Sequence, residues 1–223
     1  TALGWVVLAG FLLVTGLFFH LRFTFTASAD SMSLVLGDMW NIIVLVCPLL
    51  AMRLLAEEKR MGTLEMLLTT PVSDTQIVIG KYAAAMVFFC ALLAPSLLLA
   101  AMCFYFGNPE PGMLIMSYLG VFFTAAVLVA IGLFISSLSR NQVVAAAITY
   151  AVFFAMIAFQ FLASAVWQPG KAWNKILSYV ALFSHYESLG KGVFDSVDVV
   201  YFASVVVFFL FLTVRVLDAR RWR

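Results

Sequence analysis

Charge is the scarcest ingredient of this sequence. Asp, Glu, Lys and Arg make up 11% of its 223 residues, with a net charge of +2, whereas a soluble domain carries about 25%. No basic stretch is long enough to serve nucleic acid, and no such partner is expected. Cysteine is equally sparse. Cys47, Cys90 and Cys103 all lie in or at the end of apolar runs, without CxxC or Cys/His spacing. That excludes a disulfide scaffold and argues against a metal site, leaving small apolar packing residues. A phosphate-binding loop is also missing. The pairs Gly80-Lys81, Gly170-Lys171 and Gly190-Lys191 lack the upstream glycine and the following Ser or Thr that such a loop requires. No HExxH, no nucleophile beside a base and no paired carboxylates sit inside an apolar run, which argues against a membrane protease or transferase. Ionisable residues are almost absent from those runs, which argues against a proton-driven relay. No internal repeat points to paired broken helices. Catalytic, cofactor and metal residues are therefore all expected to be none.

What is present is apolar surface. Hydrophobic residues make up 65% of the chain, and the mean hydropathy is +1.08. A water-soluble fold of this size has too much surface to hide so much apolar material, and lipid removes the difficulty. The apolar runs are about 20 residues long, the length that crosses a hydrocarbon core. The expected fold is an all-α integral membrane protein forming one transmembrane domain. Its six spans fall at about residues 1–21, 39–55, 82–106, 113–138, 143–166 and 199–214. Pro48 and Pro95 lie inside spans two and three, where neighbouring helices can satisfy the freed carbonyls. The four-residue link Ser139-Arg140-Asn141-Gln142 makes spans four and five adjacent and antiparallel. Gly80/Ala84 and Gly132/Ser136 have the spacing that lets helices approach closely.

Orientation follows from the basic residues. One side collects Arg53, Lys59, Arg60, Lys81, Arg140, Arg215, Arg220, Arg221 and Arg223. The other has Arg22, Lys171, Lys175 and Lys191. The first side is expected to be cytoplasmic, with both termini there. The chain opens inside an apolar run at Thr1, so a short N-terminal segment is expected to precede it.

The loop at residues 56–81 carries most information. Met61, Leu64, Leu67 and Leu68 recur at helical spacing, with Glu57, Glu58, Arg60 and Glu65 largely off that face. This predicts a short amphipathic helix ended at Thr70 by Pro71. Ser73-Asp74-Thr75-Gln76 then has the form of a capping box that starts the next helix. Such a helix rests on the membrane surface or on the protein's own helix ends, or else docks a cytoplasmic partner.

The run Glu57-Glu58-Lys59-Arg60-Met61-Gly62-Thr63-Leu64-Glu65, followed by Leu67-Leu68 and Pro71-Val72-Ser73-Asp74, resembles the signature loop of ABC-2 type ABC transporter permeases. It is most similar to the gliding-motility permease family and to the permease of nitrous oxide reductase maturation. The tail from Ser184-His185-Tyr186-Glu187 to Arg215 and Trp222 resembles the final third of the same families. The resemblance implies a type V exporter-like fold in a bacterial inner membrane. It implies a coupling helix over residues 57–68, with Glu57, Glu58, Lys59, Arg60, Gly62, Thr63, Leu64, Glu65 and Leu68 facing an ATPase subunit. Arg140 would make a second contact. ATP and Mg would be bound by that separate subunit, present in two copies. A second permease copy or a related permease would complete the complex, with room for a further envelope subunit. The segment preceding Thr1 would be an amphipathic interface helix. Residues 167–197, whose apolar stretches are too short to span, would hold two short re-entrant helices. There His185, Glu187 and Phe194 are the candidates for an outer gate; a structural plug is the alternative. His185 with Glu187 alone defines no metal site. The expected function is ATP-driven export, with a non-transporting scaffold or a channel as the alternative.

Overall fold

A computed structural model describes residues 2–26, 31–63, 72–106, 109–165, 182–192 and 194–221. Among the described residues the chain is helical and has no strand. In order the helices are α1 (Ala2–Thr26), α2 (Ser31–Ala51), α3 (Ala56–Met61), α4 (Asp74–Leu93), α5 (Ser96–Phe106), α6 (Pro111–Leu138), α7 (Gln142–Ala165), α8 (Leu182–Gly190) and α9 (Ser196–Arg221). Among these residues, 6 segments are long and apolar enough to cross a membrane: Gly4–Phe25, Leu34–Met61, Asp74–Tyr105, Pro111–Leu138, Gln142–Phe159 and Ser196–Ala219. The all-α membrane fold read from the sequence is the fold observed.

The bundle is organised around α6. In its span 78% of the most apolar window is buried, against 11% for the first span and 17% for the fifth and sixth. Helices α2, α4, α7, α8 and α9 all pack against it. The sequence explains why α6 takes the centre. Small residues recur along it, at Gly120, Ala125, Ala126, Ala130, Gly132, Ser136 and Ser137, and all are buried. Without large side chains in the way, neighbouring backbones come close, and dispersion rather than the hydrophobic effect then holds helices together in lipid. Gly132 marks the tightest approach. A Cβ added there would lie 2.3 Å from Ala51 Cβ on α2. Gly120 plays the same part for α8, with Leu189 Cβ 3.2 Å from the position a Cβ would take.

The helices overrun the apolar runs on which the spans were expected. Span two was expected to begin at residue 39, but α2 starts at Ser31. Asp38 does not stop it, because Arg22 on α1 donates to it from Nε at 2.8 Å and from Nη2 at 3.0 Å. Span three was expected from residue 82, but α4 starts at Asp74. Ser73 Oγ accepts from Gln76 N–H and the Gln76 side chain accepts from Ser73 N–H, so the expected capping box is present. Span six was expected to cover 199–214, and α9 covers Ser196–Arg221. Pro95, which lacks an N–H to donate, divides the third span into α4 and α5. Pro48 leaves α2 continuous, and its carbonyl accepts from Met52 N–H at 2.9 Å. Helices α6 and α7 pack on each other across the short link at 139–141, as expected from its length.

Candidate functional site

The end of the bundle that carries Arg53, Lys59, Arg60, Lys81 and Arg140 contains the most constructed feature of the chain. Helix α2 ends at Ala51, residues 52–55 turn, and α3 begins at Ala56. A break of this kind leaves carbonyls of one helix and N–H groups of the next without partners. Leu55, the residue before α3, has no capping side chain. The partner comes from α6. Ser136 Oγ accepts from Leu55 N–H at 3.2 Å and from Ala56 N–H at 3.0 Å, and its hydroxyl donates to Met52 O at 3.2 Å. One buried hydroxyl therefore serves both sides of the break. Leu55, Ala56 and Ser136 are each fully buried. Gly132, one turn earlier on α6, is the residue that lets Ala51 come close enough for this contact.

Helix α3 has 6 residues, too few to be stable alone. Its acids, Glu57 and Glu58, lie in the first turn and its bases, Lys59 and Arg60, in the last, the order that complements the helix dipole. Lys81 on α4 forms an ion pair with Glu58. Leu55 joins Ile77, Val78, Leu133 and Leu217 in a separate apolar cluster that ties α4, α6 and α9 together beneath the turn. The helix stops at Gly62, whose φ of 73° is left-handed. Gly62 N–H and Thr63 Oγ1 both donate to Glu58 O. The expected helix is thus interrupted at Gly62, Thr63 is helical again, and the expected end at Thr70 lies outside the described residues. The left-handed glycine ends α3 nine residues before Pro71, and Met61 is separated by it from the rest of the expected apolar face. Leu64, Glu65, Leu67 and Leu68 lie outside the described residues.

Of the residues read from the sequence, Glu57, Glu58 and Lys59 are half-buried, and Arg60, Gly62 and Thr63 are exposed. Arg140 is exposed on the neighbouring turn, and α3 packs against both helices joined there, α6 and α7. That turn is shaped by its own side chains. Ser139 Oγ accepts from Asn141 N–H at 3.2 Å, and Asn141 Oδ1 accepts from Val143 N–H at 2.9 Å, starting α7. Beside this end, a groove of about 680 Å³ opens between α4 and α9, lined by Asp74, Val78, Leu210, Phe211, Arg215 and Asp218 among others.

At the opposite end the three outer candidates are not gathered. His185 on α8 is buried, and its Nδ1 lies 2.6 Å from Asp198 Oδ1 on α9. Its ring stacks on Tyr201, with centroids 4.1 Å apart. Glu187 faces outward and pairs with Lys191 at 2.7 Å. Phe194 is exposed in the link to α9. Tyr186 donates to Leu36 O on α2, and burial pushes its phenol up. Residues 167–181 of the expected re-entrant segment lie outside the described residues, and α8 is its described helix. Ser136, Asp198 and Asp38 escaped the sequence reading. The Gly132/Ser136 spacing was the one signal pointing at the first, and nothing local marked the other two as partners of His185 and Arg22.

Among the described residues, no three His, Cys, Asp or Glu side chains gather as metal ligands. What this arrangement offers is mechanical. It is a charged, partly exposed helix anchored to the central helix of a membrane bundle. No curated protein matches the chain. A match to the ABC-2 family transporter proteins extends over residues 23–217. It runs from the last turn of α1 into the last turns of α9 and takes in the broken second span, α3 and the α6–α7 turn. By that extent the chain belongs to the ABC-2 transporter family.

Proposed function

We propose that this chain is the membrane-spanning permease of an ATP-driven exporter, and that α3 is the element by which a separate ATPase drives it. The family makes it a membrane transport component whose partners are ABC ATPase subunits. The observation that carries the coupling role is the anchoring of α3. It has its charged residues Glu57, Lys59 and Arg60 on a short helix, yet its backbone is fixed to α6 through Ser136 and its side chain to α4 through Lys81. A helix that merely rested on the lipid surface would need an apolar face, and α3 has little. Arg140 supplies a second contact from the adjacent turn. ATP and Mg belong to the ATPase. Two such subunits pair with two permeases, identical or related, in a bacterial inner membrane with the basic end cytoplasmic. ATP closes the motors, α3 is displaced, and the rigid spans tilt to open a path outward, in alternating access. The resemblance of the loop and tail to the gliding-motility and nitrous-oxide-reductase-maturation permeases supports a permease of that kind, where a further envelope subunit fits.

The test is purification of the chain from its native membrane in mild detergent, wild type beside Arg60→Glu/Arg140→Glu. Glu58 is left intact because it is held inside the chain by Lys81. An ABC ATPase should accompany the wild type and be depleted by charge reversal. Labelling of Glu187→Cys from the outside should then change on addition of ATP. An ATPase that binds without changing that labelling supports a scaffold. Absence of any ATPase from the wild type refutes the reading.

A further inference from the structure

The break at residues 52–55 raises a mechanical problem. A stroke delivered to α3 cannot travel reliably up α2, because the helical ladder is interrupted between them. Leu54 N–H bonds to Ala51 O at 3.1 Å in a tight turn, and the ladder restarts only with Lys59 N–H on Leu55 O. A backbone joint of this kind absorbs rotation. Across the same gap, however, one fully buried oxygen on α6 accepts from Ala56 N–H at the start of α3 and from Leu55 N–H just before it, and donates to Met52 O in the turn. In a medium that offers little alternative solvation, such bonds are not readily exchanged for water. One turn away, the Gly132–Ala51 approach leaves no slack for α2 and α6 to separate at this level.

We propose that Ser136 is a positioning residue for energy coupling: it makes α3 and α6 one rigid body, so that displacement of α3 reaches the bundle through α6, while residues 52–55 act as the hinge about which α2 is left behind. This rests on the coupling role of α3 argued above. The position of α6 makes the route effective. It is the most enclosed span, and α2, α4, α7, α8 and α9 all lie against it. A tilt of α6 is therefore passed to α4, α7, α8 and α9, including the His185–Asp198 end, while α2 pivots against it at the Gly132–Ala51 contact. Glu58–Lys81 adds a second tie from α3 to α4 and keeps α3 from twisting about the Ser136 contact.

The experiment measures spin-label distances in the full permease, with Cys90 replaced by Ala and Cys47 and Cys103, both buried, left in place. One pair, Met61→Cys with Ile115→Cys, reports α3 against the far end of α6. The other, Met61→Cys with Leu34→Cys, reports α3 against the far end of α2. All three positions are exposed. Without ATPase, the first pair should give a narrow distribution that Ser136→Ala broadens and Ser136→Thr restores. With the ATPase bound and vanadate-trapped, the first distance should hold while the second shifts. In Ser136→Ala, hydrolysis should continue while displacement of Ile115 per ATP falls by about fivefold or more. Should Ser136→Ala fail to fold, Gly132→Ala tests the same joint. It should broaden the first distance, and the reciprocal Gly132→Ala/Ala51→Gly should restore it. Equal distributions for wild type and Ser136→Ala in the free permease overturn the proposal without touching the coupling role of α3. So does a first distance that shifts as much as the second on trapping. Failure of any ATPase to bind the wild type instead sinks the coupling role, while the free-permease comparison still decides whether α3 and α6 are one body.

Discussion

Replacing His185 by Phe isolates the polar pair at the α8–α9 end. The phenyl ring can keep the stack on Tyr201, at 4.1 Å between centroids, but it offers nothing to Asp198. That carboxylate is 5% exposed. Its Oδ2 is already buried without a hydrogen-bond partner in the structure, so the substitution also removes the 2.6 Å contact at Oδ1. Removing one partner of a buried pair costs about 3–5 kcal/mol, because the remaining group is stranded. For a chain of this length, ~1 kcal/mol corresponds to about 2–4 °C in melting temperature. The lower bound is then a fall of about 6–12 °C. Asp198→Asn keeps an acceptor for the ring N–H and should cost about 1 kcal/mol. The double variant His185→Phe/Asp198→Leu, with neither polar group, should recover most of the loss, since apolar replacement of a buried pair is close to neutral. The assay is thermal unfolding in detergent, read by a thiol-reactive dye. Cys47 and Cys103 are 0% and 2% exposed and report unfolding, with Cys90 replaced by Ala to remove background. A His185→Phe melting point within about 2 °C of wild type would refute the reasoning. So would a double variant no more stable than the single.

Four further outcomes follow from local geometry and burial. Gly62→Ala meets nothing within 4 Å, so its cost is that of the left-handed backbone alone, about 1 kcal/mol. Gly192→Ala has φ +78° and would bring its Cβ to 3.4 Å from Met113 Cα, an ordinary contact, so its melting point should fall by about as much as that of Gly62→Ala. Ser73→Ala removes the acceptor for Gln76 N–H at 3.3 Å and should cost about 1 kcal/mol, whereas Ser73→Asp should melt near wild type; equal losses would mean that the cap is not what starts α4. Burial raises the Tyr186 phenol above its ordinary value of 10.0. The folded state therefore holds a proton that the unfolded state releases at high pH. Stability from this group is complete below about pH 10 and is lost above it; in Tyr186→Phe, the alkaline fall in melting temperature should be shallower.

The fold was largely legible because lipid imposes a coarse rule. Any segment that crosses must satisfy its backbone internally, so apolar length alone announces each span. Ser73 and Gln76 were legible for a related reason, since a capping box is closed within four residues. The boundaries were less so. Hydropathy reports where side chains meet lipid, whereas a helix continues as long as its hydrogen bonds do. Asp38 looked like the outside of span two and sits within α2, neutralised by Arg22 from the neighbouring helix. Gly62 was read, through the family resemblance, as one residue of an uninterrupted coupling helix. Its position at a break depends on the left-handed φ that only the folded turn assigns.

The candidate site was legible in its charges and not in its joints. Glu57, Glu58, Lys59 and Arg60 advertise themselves against an apolar background, and Arg140 does so in the shortest link. What fixes them in place is a serine on another helix, 80 residues from Ala56. Serine inside an apolar span has an ordinary local use, donating back to a carbonyl one turn earlier, as Ser117 and Thr149 do here. Nothing in its neighbours distinguishes the serine that turns away to serve a second helix. The distinguishing condition is that the second helix be broken at the same depth, so that Leu55 and Ala56 expose N–H groups there. That condition joins three facts: Pro48 and the turn after it, Gly132 allowing contact, and Ser136 one turn further along the same face. Pro48, Gly132 and Ser136 are each visible in the sequence and commonplace, whereas the turn at 52–55 is not, since span two was read unbroken to residue 55. Their coincidence at one level of the bundle is a property of packing, which is why the charges of α3 are legible in the sequence while its anchoring to α6 appears only in three dimensions.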